Sequence, residues 1–488
     1  MQDQTSLFSS CSRILLILFA VGTMVLPVLA QTSISTLPST TAPTSQNGIS
    51  QISQQSPFLG STPSGKATAD AIPLTLRDAI DRGLRYNLGL VFSGISTRSA
   101  RAQRLKSLSE LLPHVDARIG DSEQKINLAA FGFPAPPGTP EVIGPFSVFD
   151  ARGTLTESLD LHFWKNFRAA SEQVRAEQLG EQNARETVVL VICDLYLEGL
   201  ANQARVKSAQ AQLTTADTVY RQTLDLKNNG VAAGIDVLRS HVNLQSRQQR
   251  LVAVENEYTK QKLTLARAIG LPAGQQFDFS DAMPNPEVPA VTVEKALADA
   301  YQNRYDYRRS ASLVHAAETS RSAAVLQRAP SLHFDGDYGT IGENPGTAHP
   351  TYTAALSLRI PVFQGGKIQS DVQQADAVLA QRQAELEDLR GRIDQEVRTA
   401  FLDLDASARQ VQVAQSSVQL AGEQLVQARD RFRAGVSGSL EVVESQQAVA
   451  GAEEDLISSM YAYNLAKAAL ARSTGLAEKS VKDFLGVR

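Results

Sequence analysis

The side chains that could perform chemistry are few and scattered. Of the six histidines, His114, His162 and His333 fall in stretches of alternating polarity, His241 and His315 in stretches of helical period, and His349 in a turn-rich segment. None is spaced as a metal ligand or as the base of a nucleophile, and there is no Walker loop or nucleophile elbow. Cys11 lies in the N-terminal segment discussed below and Cys193 is alone in the rest, so no internal disulfide is expected. What remains is electrostatic. Glu441 and Glu444, three apart after Gly435-Val436-Ser437-Gly438, share one face of a helix, and by themselves read as two solvated carboxylates.

The elements that must carry these groups are written twice. Asn229-Gly230-Val231, Leu265-Ala266-Arg267 and Gly270-Leu271 return 205 positions later as Ala434-Gly435-Val436, Leu470-Ala471-Arg472 and Gly475-Leu476. At an offset of 217, Thr75-Leu76, Ala79-Ile80 and Pro113 match Thr292-Val293, Ala296-Leu297 and Pro330. A unit this long is a duplicated half of a fold rather than a solenoid repeat. Repeat 1 is placed at 74–271 and repeat 2 at 292–476, with a connector at 272–291 and a tail at 477–488. On the face matching Glu441 and Glu444, repeat 1 carries Asp236 and Arg239.

Each repeat opens with an amphipathic helical stretch that a proline ends. Period two follows: Val115, Ala117 and Ile119, then Leu155, Leu159, Leu161 and Phe163, alternate with polar residues, and repeat 2 does the same from Leu332 to Tyr338 and from Tyr352 to Ile360. Strand pairs are expected at 113–122 with 153–163, and at 331–340 with 351–362. Apolar residues on one side and polar ones on the other is the signature of a membrane β-barrel strand as well as of a half-covered soluble sheet. Aromatic residues favour the first: Phe163, Trp164 and Phe167, with Phe363 in repeat 2, sit where one membrane interface would fall. Phe131, Phe133, Phe146 and Phe149 surround a Pro- and Gly-rich segment, Ser122 to Arg152, that reads as a long outer loop.

Four strands cannot close a barrel, and open sheet edges are not tolerated in hydrocarbon. Other copies of the chain must complete it: two would give eight strands and a lumen filled by side chains, three would give twelve and a passage.

After the strands the period becomes seven. Val397, Leu404, Val411, Val418, Leu425 and Phe432 are followed, across a turn at 434–439, by Val442, Val449, Leu456, Tyr463 and Leu470. Repeat 1 has Ile192, Val206, Leu213 and Tyr220, a turn at 228–234, then Val237, Leu244, Leu251, Tyr258 and Leu265. Each repeat thus holds an antiparallel helical hairpin. Its other seam positions, Ser445, Ala452, Ser459, Ala466 and Ser473, are small, which suits helices packed side by side into a wall. A helix from about Lys367 to Arg433 would be roughly 100 Å long.

At the N-terminus, Arg13, the apolar run Ile14 to Leu29 and Val28-Leu29-Ala30 form a secretory signal pattern over 1–30. Residues 31–70, rich in Ser, Thr, Gln and Pro, read as a flexible lead-in. A formal net charge of −4 with 6% aromatic residues argues against a nucleic-acid partner, and no later apolar run reads as a transmembrane helix.

From Leu74 to Leu476 the chain resembles the TolC-like outer membrane efflux family. The resemblance rests on Leu74-Thr75-Leu76-Arg77-Asp78-Ala79-Ile80 through Asn87, Leu112-Pro113, Pro361-Val362-Phe363-Gln364-Gly365-Gly366-Lys367 and the two Gly-Val turns. It implies a mainly α fold with a membrane β part: a homotrimer whose four strands per chain complete a 12-stranded barrel in the outer membrane lipid, continued by a helical barrel across the periplasm. It implies no cofactor, and as partners a periplasmic membrane-fusion adaptor and an inner-membrane pump of RND, MFS or ABC type. The tips, Gly230-Val231 and Gly435-Val436, would dock the adaptor. Glu441 and Glu444 would form acidic rings at the constriction, six carboxylates in three chains. Asp236 matches an aspartate that locks the closed tip, but its expected partners, an aromatic hydroxyl and an arginine, are Phe432 and Ser437 here. The function implied is a passive exit duct of a tripartite efflux or type I secretion system. The competing reading is a non-channel coiled-coil adaptor or surface protein, against which the duplicated strand pairs speak.

Overall fold

The computed structural model describes residues 56–132, 140–284 and 291–479. The signal segment, Phe133 and positions 480–488 lie outside these. Each repeat begins with a helix broken in two: α1 (Leu76–Tyr86) and α2 (Leu88–Ser109), then α5 (Val293–Asn303) and α6 (Tyr305–Leu326). Between come β1 (Ile72–Leu74), the long strands β2 (His114–Asn127) and β3 (Val142–Leu159), the hairpin α3 (Leu161–Asn228) and α4 (Gly234–Ala268), and β4 (Phe277–Phe279). Repeat 2 continues with β5 (Ser331–Gly342), β6 (His349–Arg359), α7 (Lys367–Arg433) and α8 (Ser439–Ser473).

The break between the paired helices has a specific partner in each repeat. Asn87 is extended, caps α2 through Gly89 N–H, and donates to the Ala268 carbonyl at the end of α4. Its counterpart Arg304 is buried and donates to the Ser473 carbonyl at the end of α8, while Asp306 and Glu396 neutralise it. A side chain at the break therefore ties the start of each repeat to the last turn of its own hairpin. A cation suits such a helix C-terminus.

All four hairpin helix ends noted in the sequence close alike. Gly230, Gly270, Gly435 and Gly475 have φ of 74°, 71°, 70° and 74°. The next residue's N–H reaches five positions back, as in Val231 to Leu226 and Val436 to Arg431. This left-handed cap is what glycine permits without a Cβ clash, and it is why the two copies keep the same dipeptides.

The sheet order is β2-β3-β5-β6, antiparallel throughout. The register puts Val115, Ala117 and Ile119 level with Leu155, Gly153 and Ala151, and Leu332, Phe334, Gly336 and Tyr338 level with Leu358, Leu356, Ala354 and Tyr352. One face is thus apolar over these rows, with Glu157, opposite Phe334, toward one end and Asp121, level with Phe149, toward the other. The other carries Asp116, Arg118, Asp150, Arg152, Asp335 and Asp337, with Arg152 3.6 Å from Asp337. Strands β2 and β6 are open edges.

Several sequence expectations are corrected. The second strand runs 142–159, not 153–163: Asp160 accepts from the His162 N–H and starts α3, so Leu161, His162 and Phe163 are helical. The segment read as a long outer loop is strand from Val142 on, with Phe146 and Phe149 on opposite faces of β3. The other strands are 114–127, 331–342 and 349–359. The lead-in is packed from Ser56 on: Thr62 N–H bonds Tyr86, Ser64 N–H bonds Gly270, and Ile72–Leu74 pairs in parallel with Phe277–Phe279. The connector therefore contains β4. Finally, α3 holds an 18-residue window apolar enough in composition to cross a membrane, 67% of it buried against neighbouring helices, where its apolarity is used.

The hairpin seams are thin, as the spacing implied. On α7 the small residues Ser407, Ala414, Ala421 and Ala428, seven apart, are buried, as are Ser445, Ala452, Ala466 and Ser473 on α8. On α3 the row is Asn202, Ala209, Ala216 and Thr223. Where α3 crosses the β1–β4 pair, a Cβ on Gly199 would lie 2.2 Å from the Phe279 ring, itself wedged against Tyr196 and Phe277. Gly199→Ala is expected to destabilise the fold by about 1–3 kcal/mol through overpacking, read as a lower denaturation midpoint.

Candidate functional site

The two turns expected at 228–234 and 434–439 are those that close α3/α4 and α7/α8, and they lie side by side, because α4 and α8 meet there. Val231 and Val436 are exposed at the tips. The hairpins are bonded differently inside and between. Within a hairpin the contacts are the apolar and small rows just described. Near the tip an apolar cluster crosses from one hairpin to the other, where Phe432, Ala428 and Val442 pack with Val219 of α3. Beside it, a row of polar contacts joins the hairpins.

Asp236 on α4 accepts from the Ser439 hydroxyl on α8 at 2.6 Å. One heptad further, Asn243 donates to Gln446 at 2.8 Å, both buried. Beyond that, Arg205 on α3 pairs with Glu454 on α8 at 2.8 Å and donates to Ser458 at 3.1 Å, while Ser208 donates to Glu453. Higher still, Tyr461 donates to Asp194 at 2.6 Å; burial pushes the Asp194 carboxyl above its ordinary range and that hydrogen bond opposes the shift.

The expected gate residues are therefore only partly brought together. Neither Phe432 nor Ser437 is a partner of Asp236: Phe432 is core, and the Ser437 hydroxyl is buried with no hydrogen-bond partner. Asp236 turns instead to Ser439, with Arg239 3.8 Å away. Glu441 is met by Arg431 at 3.2 Å, which offsets part of its charge, whereas Glu444 is exposed. Ser439, Asn243, Gln446 and Arg205 were missed by sequence reasoning. A signal existed, since Ser439, Gln446 and Glu453 are seven apart, as are Asp236, Asn243 and Arg250.

Below the sheet, Trp164 is partly exposed with the Arg168 guanidinium 3.8 Å from its ring centre, Phe163 is half-buried beside His162, and Val362 and Phe363 are almost fully exposed.

The model of the family described as outer membrane efflux protein matches residues 93–271 and 296–476. The pyoverdine export outer membrane protein OpmQ of Pseudomonas aeruginosa is 23% identical over 396 residues, 78% of this chain and 80% of that protein. The toluene efflux pump outer membrane protein TtgC of Pseudomonas putida is 24% identical over 398 residues, 78% of this chain and 79% of that one. Among solved structures, the CmeC outer membrane channel of Campylobacter jejuni superposes with a TM-score of 0.76 at 17% identity, over 92% of this chain and 97% of that one. With one matched segment in each copy of the duplicated unit, the chain belongs to the outer membrane efflux protein family, as a channel of the outer membrane that extends into the periplasm.

Proposed function

We propose that this chain is the passive exit duct of a tripartite efflux or type I secretion system, working as a homotrimer. The observation that carries the reading is that everything in the single chain ends on an unfinished edge. Among the described residues, strands β2 and β6 have no outer partner. In the helical wall, α4 exposes Val252 and Leu263, and α7 exposes Leu402, Val413, Leu420 and Val426. Two free edges, each apolar where it is helical and unpaired where it is strand, are joined when copies stand in a ring. Three copies give twelve strands around a passage. The cargo would move on energy from an inner-membrane pump coupled through a periplasmic adaptor.

The tip residues Gly230, Val231, Gly435 and Val436 are the proposed docking surface for that adaptor. A groove of about 460 Å³ between α4 and α8, lined by Ile235, Leu238, Val242, Leu440 and Val443, opens next to them and offers an apolar helix a seat. Phe163, Trp164 and Phe363 are proposed to mark the membrane interface.

Glu441, Glu444 and Asp236 are proposed as gate residues. Three chains would bring six carboxylates to the constriction, a field that attracts cations. Glu441→Gln with Glu444→Gln is expected to lower the cation selectivity of the channel in planar bilayers, Glu444 contributing more because Arg431 already offsets Glu441. Unchanged reversal potentials would remove both from the gate. The trimer itself is tested by the mass of the detergent-solubilised complex and by heat-modifiable migration on gels; a monomer would sink the duct.

A further inference from the structure

Where the two hairpins meet α3, a cavity of about 210 Å³ is lined by Arg205 and Gln212 of α3, Ser246, Arg247 and Arg250 of α4, and Glu454 of α8. Arg247 is out of place by the rule of its own helix. The row Ser240, Val254, Gln261 and Ala268, at heptad spacing, is buried, and Arg247 occupies the position between the first two. Its guanidinium donates to the Gln212 amide oxygen at 3.1 Å, and among the described residues no ion pair is formed by it. Burial, with no carboxylate to oppose it, holds that guanidinium below its usual value. In the second repeat the matching positions 205 residues on are Gln410 for Arg205, Ala452 for Arg247 and Asp455 for Arg250. The cationic cluster is thus peculiar to the first hairpin and not a requirement of the hairpin fold.

A desolvated cation at a seam position costs stability unless an anion joins it. The cations all come from the first hairpin and the anions from the second. Arg205 is 2.8 Å and Arg250 3.7 Å from Glu454, which leaves Arg247 the unmatched charge. Planar guanidinium groups converging on a small cavity, with the Ser246 hydroxyl beside them, suit an oxyanion, and the cavity is too small for a helix.

We propose that this cavity binds a small free oxyanion, phosphate or a carboxylate, held by Arg247 and Arg250 in competition with Glu454. The site goes beyond the duct reading and is tested without it. Inorganic phosphate and, separately, acetate are titrated calorimetrically into the full-length, detergent-solubilised protein at constant ionic strength. At least one is expected to bind saturably, and the anion that does identifies the ligand class. Arg247→Gln is expected to weaken binding about tenfold, the size of one charge-assisted hydrogen bond. Glu454→Gln, on the opposite wall, is expected to tighten it several-fold by removing the competing carboxylate. Arg250→Gln, whose side chain is more than half exposed, supplies a second weakening variant that folding does not depend on. Arg221→Gln on the outer face of α3, paired with Asp217, is expected to bind as the unaltered protein does. Absence of saturable binding by both anions would overturn the proposal, as would Arg247→Gln and Glu454→Gln titrating alike.

Discussion

Ala354→Arg is expected to keep the chain out of the outer membrane, while Ala355→Arg, one residue on, is expected to be tolerated. Both alanines are exposed on β6 in the single chain. Ala354 lies in the middle row of the apolar face, level with Gly336, Leu155 and Val115, between Tyr352 and Leu356. Ala355 points to the other face, opposite Asp335. An arginine among lipid chains near the middle of the membrane costs about 2–4 kcal/mol, and if three chains assemble as proposed it recurs in each, a total of roughly 6–12 kcal/mol. That is comparable with the whole stability of a domain. An arginine at 355 would meet a carboxylate across the strand pair and water in the lumen. The measurement is outer-membrane fractionation with heat-modifiable migration on gels. Equal assembly of the two variants would show that the apolar face is not the lipid face.

The second large effect concerns the polar seam between hairpins. Asp236→Ala combined with Asn243→Ala removes the bonds to Ser439 and Gln446. Each is worth about 1 kcal/mol net, and the second leaves a buried amide without its partner. If three chains open together, six bonds are lost, about 6 kcal/mol, close to the differential that carries a two-state equilibrium from almost all closed to almost all open. The expected result is a steady, severalfold larger conductance in planar bilayers with the oligomer intact. Conductance equal to that of the unaltered protein would show that the seam does not hold the tip. The heptad rows inside each hairpin are untouched by these changes, so the hairpins should move as units. Apolar packing holds each one together, and directional hydrogen bonds, beside the apolar contact of Val219 with Phe432 and Val442, hold one to the other.

Features fixed by short-range physics were legible in the residues. A helix was expected from about Lys367 to Arg433, its second half marked by the seven-residue row from Val397 to Phe432, and α7 has those limits. The Gly-Val and Gly-Leu pairs marked four helix ends because a left-handed residue is required there whatever surrounds it. The strand pairs were visible from their alternation, but their limits were not. Leu161 and Phe163 continue the alternation by coincidence, and Asp160, a capping residue, was the sign that the strand had ended. The Pro- and Gly-rich segment looked like loop, yet Gly144 and Pro145 lie within β3 where its pairing with β2 slips and β5 no longer reaches it. A proline is tolerated at such a place because no ladder hydrogen bond asks for its N–H.

The sequence by itself determined the duplicated unit, the hairpins with their thin seams and the apolar sheet face, on which the proposed assembly of several copies rests. These follow from periodicity and from the cost of unpaired backbone in lipid. Only the tertiary structure decided the partners across the seam: Ser439, rather than Phe432 or Ser437, for Asp236; Gln446 for Asn243; and three arginines of the first hairpin around one cavity facing a single glutamate of the second. Helix phase says which face a residue occupies, but the axial offset between two hairpins, set by how the whole wall packs, says which residue it meets.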